Sequence, residues 1–246
     1  MNNKLTGGIH PAVAAVWAAV IASVHILPTF PILGAGGTFS IASVLIPLSG
    51  IFFGPIAGAL CSAAGCFLGN LIAPFTAWAG LGTFIIGTTT AFTTGCIAWG
   101  KWPPFAIGGI VVYIIGTALW FTQEIGRSII LYPLIYYGLG FISLIAGIIL
   151  ASRFFSGTKR FLKFPAIWLC AFGGLIGGAT VGNFFSLVLY KLPKEVWTTL
   201  IIISPVERAV FATGAMLVGV PLMSGLNKIG IFVGPQSEEE LIEDEK

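Results

Sequence analysis

Long apolar runs, separated by short stretches of glycine, proline and charged residues, dominate the hydropathy pattern of the chain. Runs of about eighteen or more apolar residues are typical of helices that cross a lipid bilayer, where the backbone must satisfy its own hydrogen bonds. The pattern predicts an all-α, polytopic membrane helical bundle of about eight spans, with six or seven as alternatives. The predicted spans are residues 11–30, 38–52, 55–73, 82–99, 104–122, 129–151, 166–189 and 199–223.

The second and third of these spans lie almost end to end. Only the residues "FFGP" separate them, and the second span is short for a hydrocarbon core about 30 Å thick. A short, tilted or partly re-entrant segment would fit the second span.

Composition supports a membrane protein. Of the 246 residues, 57% are hydrophobic and 9% are charged, whereas about a quarter of the residues in a soluble domain are charged. The mean hydropathy is +0.99. Six of the nine acidic residues lie in the last nine positions. We therefore expect one membrane domain over residues 1–230, with its first helix retained in the membrane, and an acidic, disordered cytoplasmic tail over 231–246.

Basic residues set the expected orientation, because Lys and Arg concentrate in short cytoplasmic loops. The richest loop, "SRFFSGTKRFLKF", is assigned to the cytoplasm. Eight spans then place both termini inside, in a multi-pass protein of the cell (plasma) membrane. The basic residues on the cytoplasmic side would be Lys4, Lys101, Arg153, Lys159, Arg160, Lys163 and Lys228.

Two pairs of ionisable residues lie within or beside the predicted spans, toward the outer side: Glu207 with Arg208, and Glu124 with Arg127. A charge at the centre of a membrane helix costs about 2.5 to 3.5 kcal/mol on insertion scales. Each pair could neutralise itself or extend its side chains to the interface. Because both pairs lie at the same membrane level, they favour a polar binding site that faces outward.

Uncharged residues extend this candidate site. Gln123 and Trp120 lie beside the second charged pair, and Trp120 and Trp78 are expected to be within reach for stacking against a planar ring. Asn183, deep in the seventh predicted span, could hydrogen-bond a neighbouring helix or a ligand.

The chain shows no motif for catalysis or metal binding. It has two histidines, no HExxH, no paired intramembrane aspartates, no Ser-His arrangement and no GxxxxGK[ST] phosphate loop. The four cysteines, Cys61, Cys66, Cys96 and Cys170, lie in apolar segments without CxxC spacing and are interpreted as packing thiols. We expect no enzymatic activity, no metal, no cofactor and no nucleic-acid partner, with lipids as the surroundings.

Small residues recur four positions apart along the first span, at Ala14, Ala18 and Ala22. A face of alanines lets another helix approach closely, which is a main source of helix association in lipid. An alanine-rich span also gives such spacings by chance.

Residues 46–84, "IPLSGIFFGPIAGALCSAAGCFLGNLIAPFTAWAGLGTF", resemble the second to fourth helices of the substrate-binding S components of energy-coupling factor transporters. In that family a short helix ends in a Phe-Gly-Pro turn, matched here by Phe53, Gly54 and Pro55, and a glycine-rich helix follows. The matching glycines are Gly58, Gly65 and Gly69.

The resemblance implies a function. An S component binds a vitamin or similar micronutrient from outside, and a membrane coupling subunit with a cytosolic ATPase pair drives its import. The family's alanine face docks the coupling subunit, which is similar to the Ala14, Ala18 and Ala22 face here. Asn70, Pro74 and Trp78 would shape the outer gate. Family members usually have six helices, whereas the pattern here predicts eight.

Two alternatives belong to other classes of protein. A structural or accessory subunit of a larger membrane complex would bury its smooth helix faces permanently and pair Glu207 with Arg208. A self-sufficient secondary transporter usually shows repeated halves with broken helices at the midplane. The sequence shows no convincing internal repeat.

Overall fold

A computed structural model describes residues 11–33, 36–155, 160–231 and 233–235. Lys4, Lys159 and residues 236–246 of the acidic tail lie outside the described residues, as do both termini. The regular elements of the described chain are helices and one small hairpin. Its elements are α1 (Pro11–Val24), β1 (Pro28–Pro31), β2 (Thr38–Ser40), α2 (Ala42–Ile72), α3 (Thr83–Ala98), α4 (Pro103–Thr122), α5 (Glu124–Ser128), α6 (Leu131–Phe155), α7 (Arg160–Leu189) and α8 (Lys194–Lys228).

Among the described residues, five helices are long and apolar enough to cross a membrane: α2, α4, α6, α7 and α8. The helices α1 and α3 are apolar but shorter, with 14 and 16 residues. Large apolar side chains such as Leu60, Ile142 and Ile202 are more than 60% exposed, which suits a lipid environment. The prediction of an apolar helical bundle is thus confirmed at this level.

The helix α2 bends back on itself at Gly54. This residue has φ 80° and ψ 175°, a conformation that favours glycine, and Pro55 starts the second arm. A Cβ on Gly58 would lie 2.7 Å from the Cα of Gly50, so the two arms run side by side. The break expected at the Phe-Gly-Pro sequence is confirmed, and two predicted spans correspond to the arms of α2.

The first predicted span, residues 11–30, extends too far. The helix α1 ends at Val24, and β1 and β2 then form an antiparallel hairpin with Pro28 opposite Ser40 and Pro31 opposite Thr38. Proline has no backbone N–H and cannot continue a helix interior, so Pro28 and Pro31 favour the extended edge of the hairpin. The predicted span crossed this change because residues 21–33 contain no Asp, Glu, Lys or Arg.

The centre of the bundle is the contact of α3 with α7. Threonines of α3 lie directly on glycines of α7, so that a Cβ on Gly177 would lie 2.7 Å from Cγ2 of Thr93. A Cβ on Gly178 would lie 2.8 Å from the carbonyl oxygen of Ile86. The glycines of residues 173–182 therefore serve internal packing and let the two backbones approach closely.

The two ends of the bundle differ. At the end that contains Gly54, here called the bend end, Trp99 Nε1 donates to the carbonyl of Ile51 at 3.1 Å and the Gly234 N–H donates to the carbonyl of Phe52 at 3.0 Å. Trp17 packs against Phe52 with ring centroids 5.5 Å apart. The opposite end, here called the pocket end, contains the hairpin, α5 and the first turns of α6 and α8.

Candidate ligand-binding site

A cavity of about 120 Å³ lies at the pocket end of the bundle. The hairpin, both arms of α2, the turns between α2 and α3, and the helices α3, α7 and α8 all contribute to its wall. Polar side chains are frequent in this wall although the bundle is mostly apolar. They include His25, Asn70, Thr76, Asn183, Glu207 and Arg208.

The charged residues of the cavity come from consecutive positions of α8. Arg208 Nε donates to the hydroxyl of Tyr136 at 3.2 Å, and its guanidinium carbon lies 4.6 Å from the ring centroid of Phe39. Consecutive residues of a helix point about 100° apart, which turns Glu207 away from Arg208. No ion pair joins Glu207 to Arg208 within the described part of the chain, so neither charge is cancelled by direct contact with the other.

A layer of tyrosines from α6 supports the cavity from behind. Asn183 Nδ2 of α7 donates to the hydroxyls of Tyr132 at 3.1 Å and Tyr137 at 3.2 Å. The side chains of Tyr132, Tyr136 and Tyr137 are at most 3% exposed. Since Tyr136 accepts from Arg208, these tyrosines hold both an amide and a guanidinium of the cavity wall in place.

Aromatic rings form one side of the site. Trp197 of α8 lines the cavity and stands nearly perpendicular to Trp120, with ring centroids 4.9 Å apart. Trp120 stacks on Tyr132 at 4.8 Å, and its Nε1 donates to the carbonyl of Gly126 at 2.9 Å. Trp120 therefore lies one layer behind the cavity and fixes the position of Trp197.

The hairpin covers the cavity next to α8. Phe30 of β1 and Phe39 of β2 both pack against Phe211, with ring centroids 5.2 and 5.6 Å apart respectively. Phe39 and Thr38 line the cavity from this side. The hairpin is thus joined to α8 by aromatic contacts one turn from Arg208.

The turn after α2 closes the cavity on another side. Thr76 donates its hydroxyl proton to the carbonyl of Ala73 at 2.7 Å, and its Oγ1 lies 3.3 Å from the side-chain amide of Asn70. The Trp78 carbonyl accepts a hydrogen bond from the hydroxyl of Tyr190, which ties this turn to the end of α7. Asn70, Thr76 and Trp78 all line the cavity.

The structure brings together five of the residues that the sequence indicates for binding and separates four others. The five that line the cavity are Asn70, Trp78, Asn183, Glu207 and Arg208. The four outside its lining are Trp120, Gln123, Glu124 and Arg127. The short helix α5 turns Glu124 and Arg127 to exposed positions, so the expectation that the two charged pairs share one cavity is corrected.

The alanine face that was expected to dock a partner is turned toward the interior of the chain. Ala18 and Ala22 are 7% and 5% exposed because they pack against the second arm of α2, where a Cβ on Gly65 would lie 2.8 Å from the carbonyl oxygen of Ala18. Ala14 is half-buried, and its carbonyl accepts from Cys61 Sγ at 3.1 Å. The exposed small residues of α1 include Ala15 and Ala19, on the side of the helix next to the buried alanines.

Sequence reasoning missed several residues of the site. Tyr132 and Tyr136 lie four apart, and a hydroxyl inside an apolar helix needs a partner, so their spacing was a usable signal. Trp197 lies next to a predicted span end, where an interfacial anchor is the ordinary interpretation. Thr38 carried no signal, because it belongs to the hairpin that the apolar pattern concealed.

The arrangement suits binding. Cationic, amide, hydroxyl and indole groups converge on a space whose other walls are aromatic and apolar, which is typical of small-molecule sites. Within the described ranges, no group of three or more His, Cys, Asp or Glu side chains is placed to hold a metal ion. Comparison with protein-family models, with curated proteins and with solved structures found no match to this chain.

Proposed function

We propose that this chain is the membrane-embedded substrate-binding subunit of an ATP-driven importer of small micronutrients, of the energy-coupling factor type. The cavity at the pocket end carries the proposal, because it places Glu207 and Arg208 beside aromatic walls inside an otherwise apolar bundle. A permanent structural subunit has no need of such a space. The resemblance of residues 46–84 supplies the transporter class.

The distribution of basic residues supports an outward-facing cavity. Lys101, Arg153, Lys163 and Lys228 lie at or beside helix termini on the bend end. Lys and Arg are enriched on the cytoplasmic side of membrane proteins. The bend end would then face the cytoplasm, and the pocket end would receive its ligand from outside.

ATP-driven import requires partners, because the sequence contains no phosphate loop with which to hydrolyse ATP. A membrane coupling subunit and a cytosolic ATPase pair would supply the motor. The exposed small residues Ala15 and Ala19 of α1, rather than the buried Ala18 and Ala22, would form the surface for close helix contact.

The test is a screen of vitamins and related micronutrients against the purified chain, followed by calorimetry on variants. A ligand that binds the folded state should raise the melting temperature by mass action. Hydrogen bonds to charged groups contribute about 1.5 to 3 kcal/mol, so Arg208→Gln should weaken binding by about 10- to 150-fold.

Arg127→Gln is the matched control, because Arg127 is exposed and lies outside the cavity. Its affinity for the ligand should equal that of the unmodified chain. Equal affinities for all three proteins would contradict the assignment of the site, and uptake by the chain alone in lipid vesicles would favour a self-sufficient transporter.

A further inference from the structure

Two residues of the cavity wall carry buried polar atoms without a hydrogen-bond partner. Three buried side-chain polar atoms in the described part of the chain have no hydrogen-bond partner: Thr38 Oγ1, Trp197 Nε1 and Asn227 Oδ1. The first two belong to residues that line the cavity, whereas Asn227 does not. A buried polar group without a partner lowers stability, so a ligand that reaches the Thr38 hydroxyl or the Trp197 N–H would gain a hydrogen bond there.

Arg208 adds further unused donors. A guanidinium carries five N–H groups, and the hydrogen bond found for Arg208 uses Nε alone, with Tyr136 as acceptor. Its contact with Phe39 uses the face of a ring and no hydrogen-bond acceptor. The remaining N–H groups form a planar fork, which matches the two oxygens of a carboxylate.

The side-chain amide of Asn70 provides another unused donor. This amide lies 3.3 Å from Oγ1 of Thr76 and has no other hydrogen-bond partner among the described residues. The amide, indole and guanidinium groups at the cavity therefore retain N–H donors that no described residue accepts. Glu207 supplies one carboxylate in the lining, but it forms no ion pair with Arg208 there.

The size and walls of the cavity limit the rest of the ligand. A volume of about 120 Å³ is close to the roughly 150 Å³ of an engineered cavity that admits benzene. Trp78, Phe39 and Trp197 contribute aromatic surface to the wall. One planar ring with one small substituent fills such a space.

We infer that the ligand is a small planar organic anion, whose carboxylate binds the guanidinium fork of Arg208 while Trp197 Nε1 donates to an acceptor of the same molecule. The inference rests on the proposed function, because it names the substrate class of that same cavity. The ring lies against Trp78 and Phe39, and Asn70 Nδ2 supplies a further donor to the anionic end.

Three probes of similar size test the inference on the unmodified full chain in detergent. Benzoate, benzamide and benzylamine share a ring and differ in the charge of the substituent. Titration calorimetry should show that benzoate binds at least about tenfold more tightly than the other two, since charge-assisted bidentate pairs are about twice as strong as neutral hydrogen bonds. The indole ¹⁵N–¹H resonance of Trp197, assigned with Trp197→Phe, should move when benzoate binds.

Two variants test the proposed ligand contacts of Trp197 and Arg208 separately. Trp197→Phe keeps a ring and removes the N–H, so benzoate should bind about fivefold more weakly. The variant should still bind benzoate more tightly than benzamide. Arg208→Lys keeps the charge and removes the fork, and it should reduce the preference for benzoate over benzamide. Arg127→Gln should leave both affinities unchanged.

Each remaining outcome has a definite meaning. Preferred binding of benzamide or benzylamine overturns the inference of an anion and leaves the proposed binding function in place. If none of the probes binds while a neutral or cationic micronutrient raises the melting temperature, the inference alone fails. If neither the probes nor the micronutrient panel bind, the inference and the proposed function fail together.

Discussion

The side-chain amide of Asn183 connects two helices by donating to Tyr132 and Tyr137. Interhelical hydrogen bonds in membrane proteins contribute about 0.6 kcal/mol each on average. Asn183→Leu keeps a similar volume and removes both bonds, so it should lower the free energy of unfolding by about 1 kcal/mol. Unfolding in mixed micelles, followed by tryptophan fluorescence, measures this change.

Ser186→Ala is the control for this substitution. Ser186 lies almost one turn further along α7, and its hydroxyl donates to the carbonyl of Gly182 within the same helix. Its removal breaks no contact between helices, so stability should change much less. An equal loss in both variants would mean that the bonds of Asn183 to the tyrosines contribute nothing specific.

Individual residues of the site differed in how far the sequence could predict them. Glu207 and Arg208 were found because a charge in an apolar run is costly and calls for a polar environment. Whether Trp197 has a hydrogen-bond partner depends on neighbours that are distant along the chain. The position of Glu124 depends on the direction in which the short helix α5 leaves the bundle, and no local pattern encodes it.

The bend of α2 depends on Gly54, whose φ of 80° lies in the region that side chains disfavour. Gly54→Ala should destabilise the protein by about 1 to 3 kcal/mol through backbone strain. Gly138→Ala on α6 is the matched control, because a Cβ there meets nothing within 4 Å and alanine favours the helix. Thermal unfolding in detergent should show a loss for the first variant and none for the second; equal stability of the two would contradict the strain argument.

The packing of α3 on α7 predicts a measurable coupling between two residues. Gly177→Ala brings a Cβ to 2.7 Å from Cγ2 and 3.1 Å from Cβ of Thr93, and overpacking of this kind costs about 1 to 3 kcal/mol. Thr93→Ala removes Cγ2 and Oγ1, so the double variant should be more stable than the sum of the single changes predicts. A double-mutant cycle of unfolding free energies measures this coupling. If the two changes in unfolding free energy simply add, the helices move apart at this point to make room for the added methyl group.

At the level of elements, the sequence predicted where a helix is interrupted better than which face of a helix is buried. The interruption of α2 was visible because Gly54 and Pro55 together interrupt a helix. The hairpin was not visible, because its strands have only four and three residues and contain no charge that would interrupt the uncharged run before them. On α1 the alanines recur four apart on two faces, at Ala14 and Ala18 and at Ala15 and Ala19. Which face packs inside depends on the glycines of α2, which lie far along the chain.

The whole molecule places its polar cavity at one end, where Arg127, Lys191 and Lys194 also lie, and Lys101, Arg153, Lys163 and Lys228 at the other. A cavity at one end of the bundle suits the proposed binding of a ligand from one side of a membrane. Because the lateral surface is apolar, partners within the bilayer must recognise shape, and small exposed residues permit the closest approach.

The last prediction concerns assembly through the exposed face of α1. Ala19→Trp adds bulk where the proposed coupling subunit would approach, so co-purification with the coupling subunit and two ATPases should be lost while ligand binding persists. Ile142→Trp is the control, since Ile142 is 66% exposed on α6, which packs mainly on α7, whereas α1 packs on α2. Pull-down of the tagged chain from membranes of cells that produce all four proteins measures both variants. Retained assembly with Ala19→Trp would exclude α1 as the docking surface, and loss with Ile142→Trp alone would place that surface on α6.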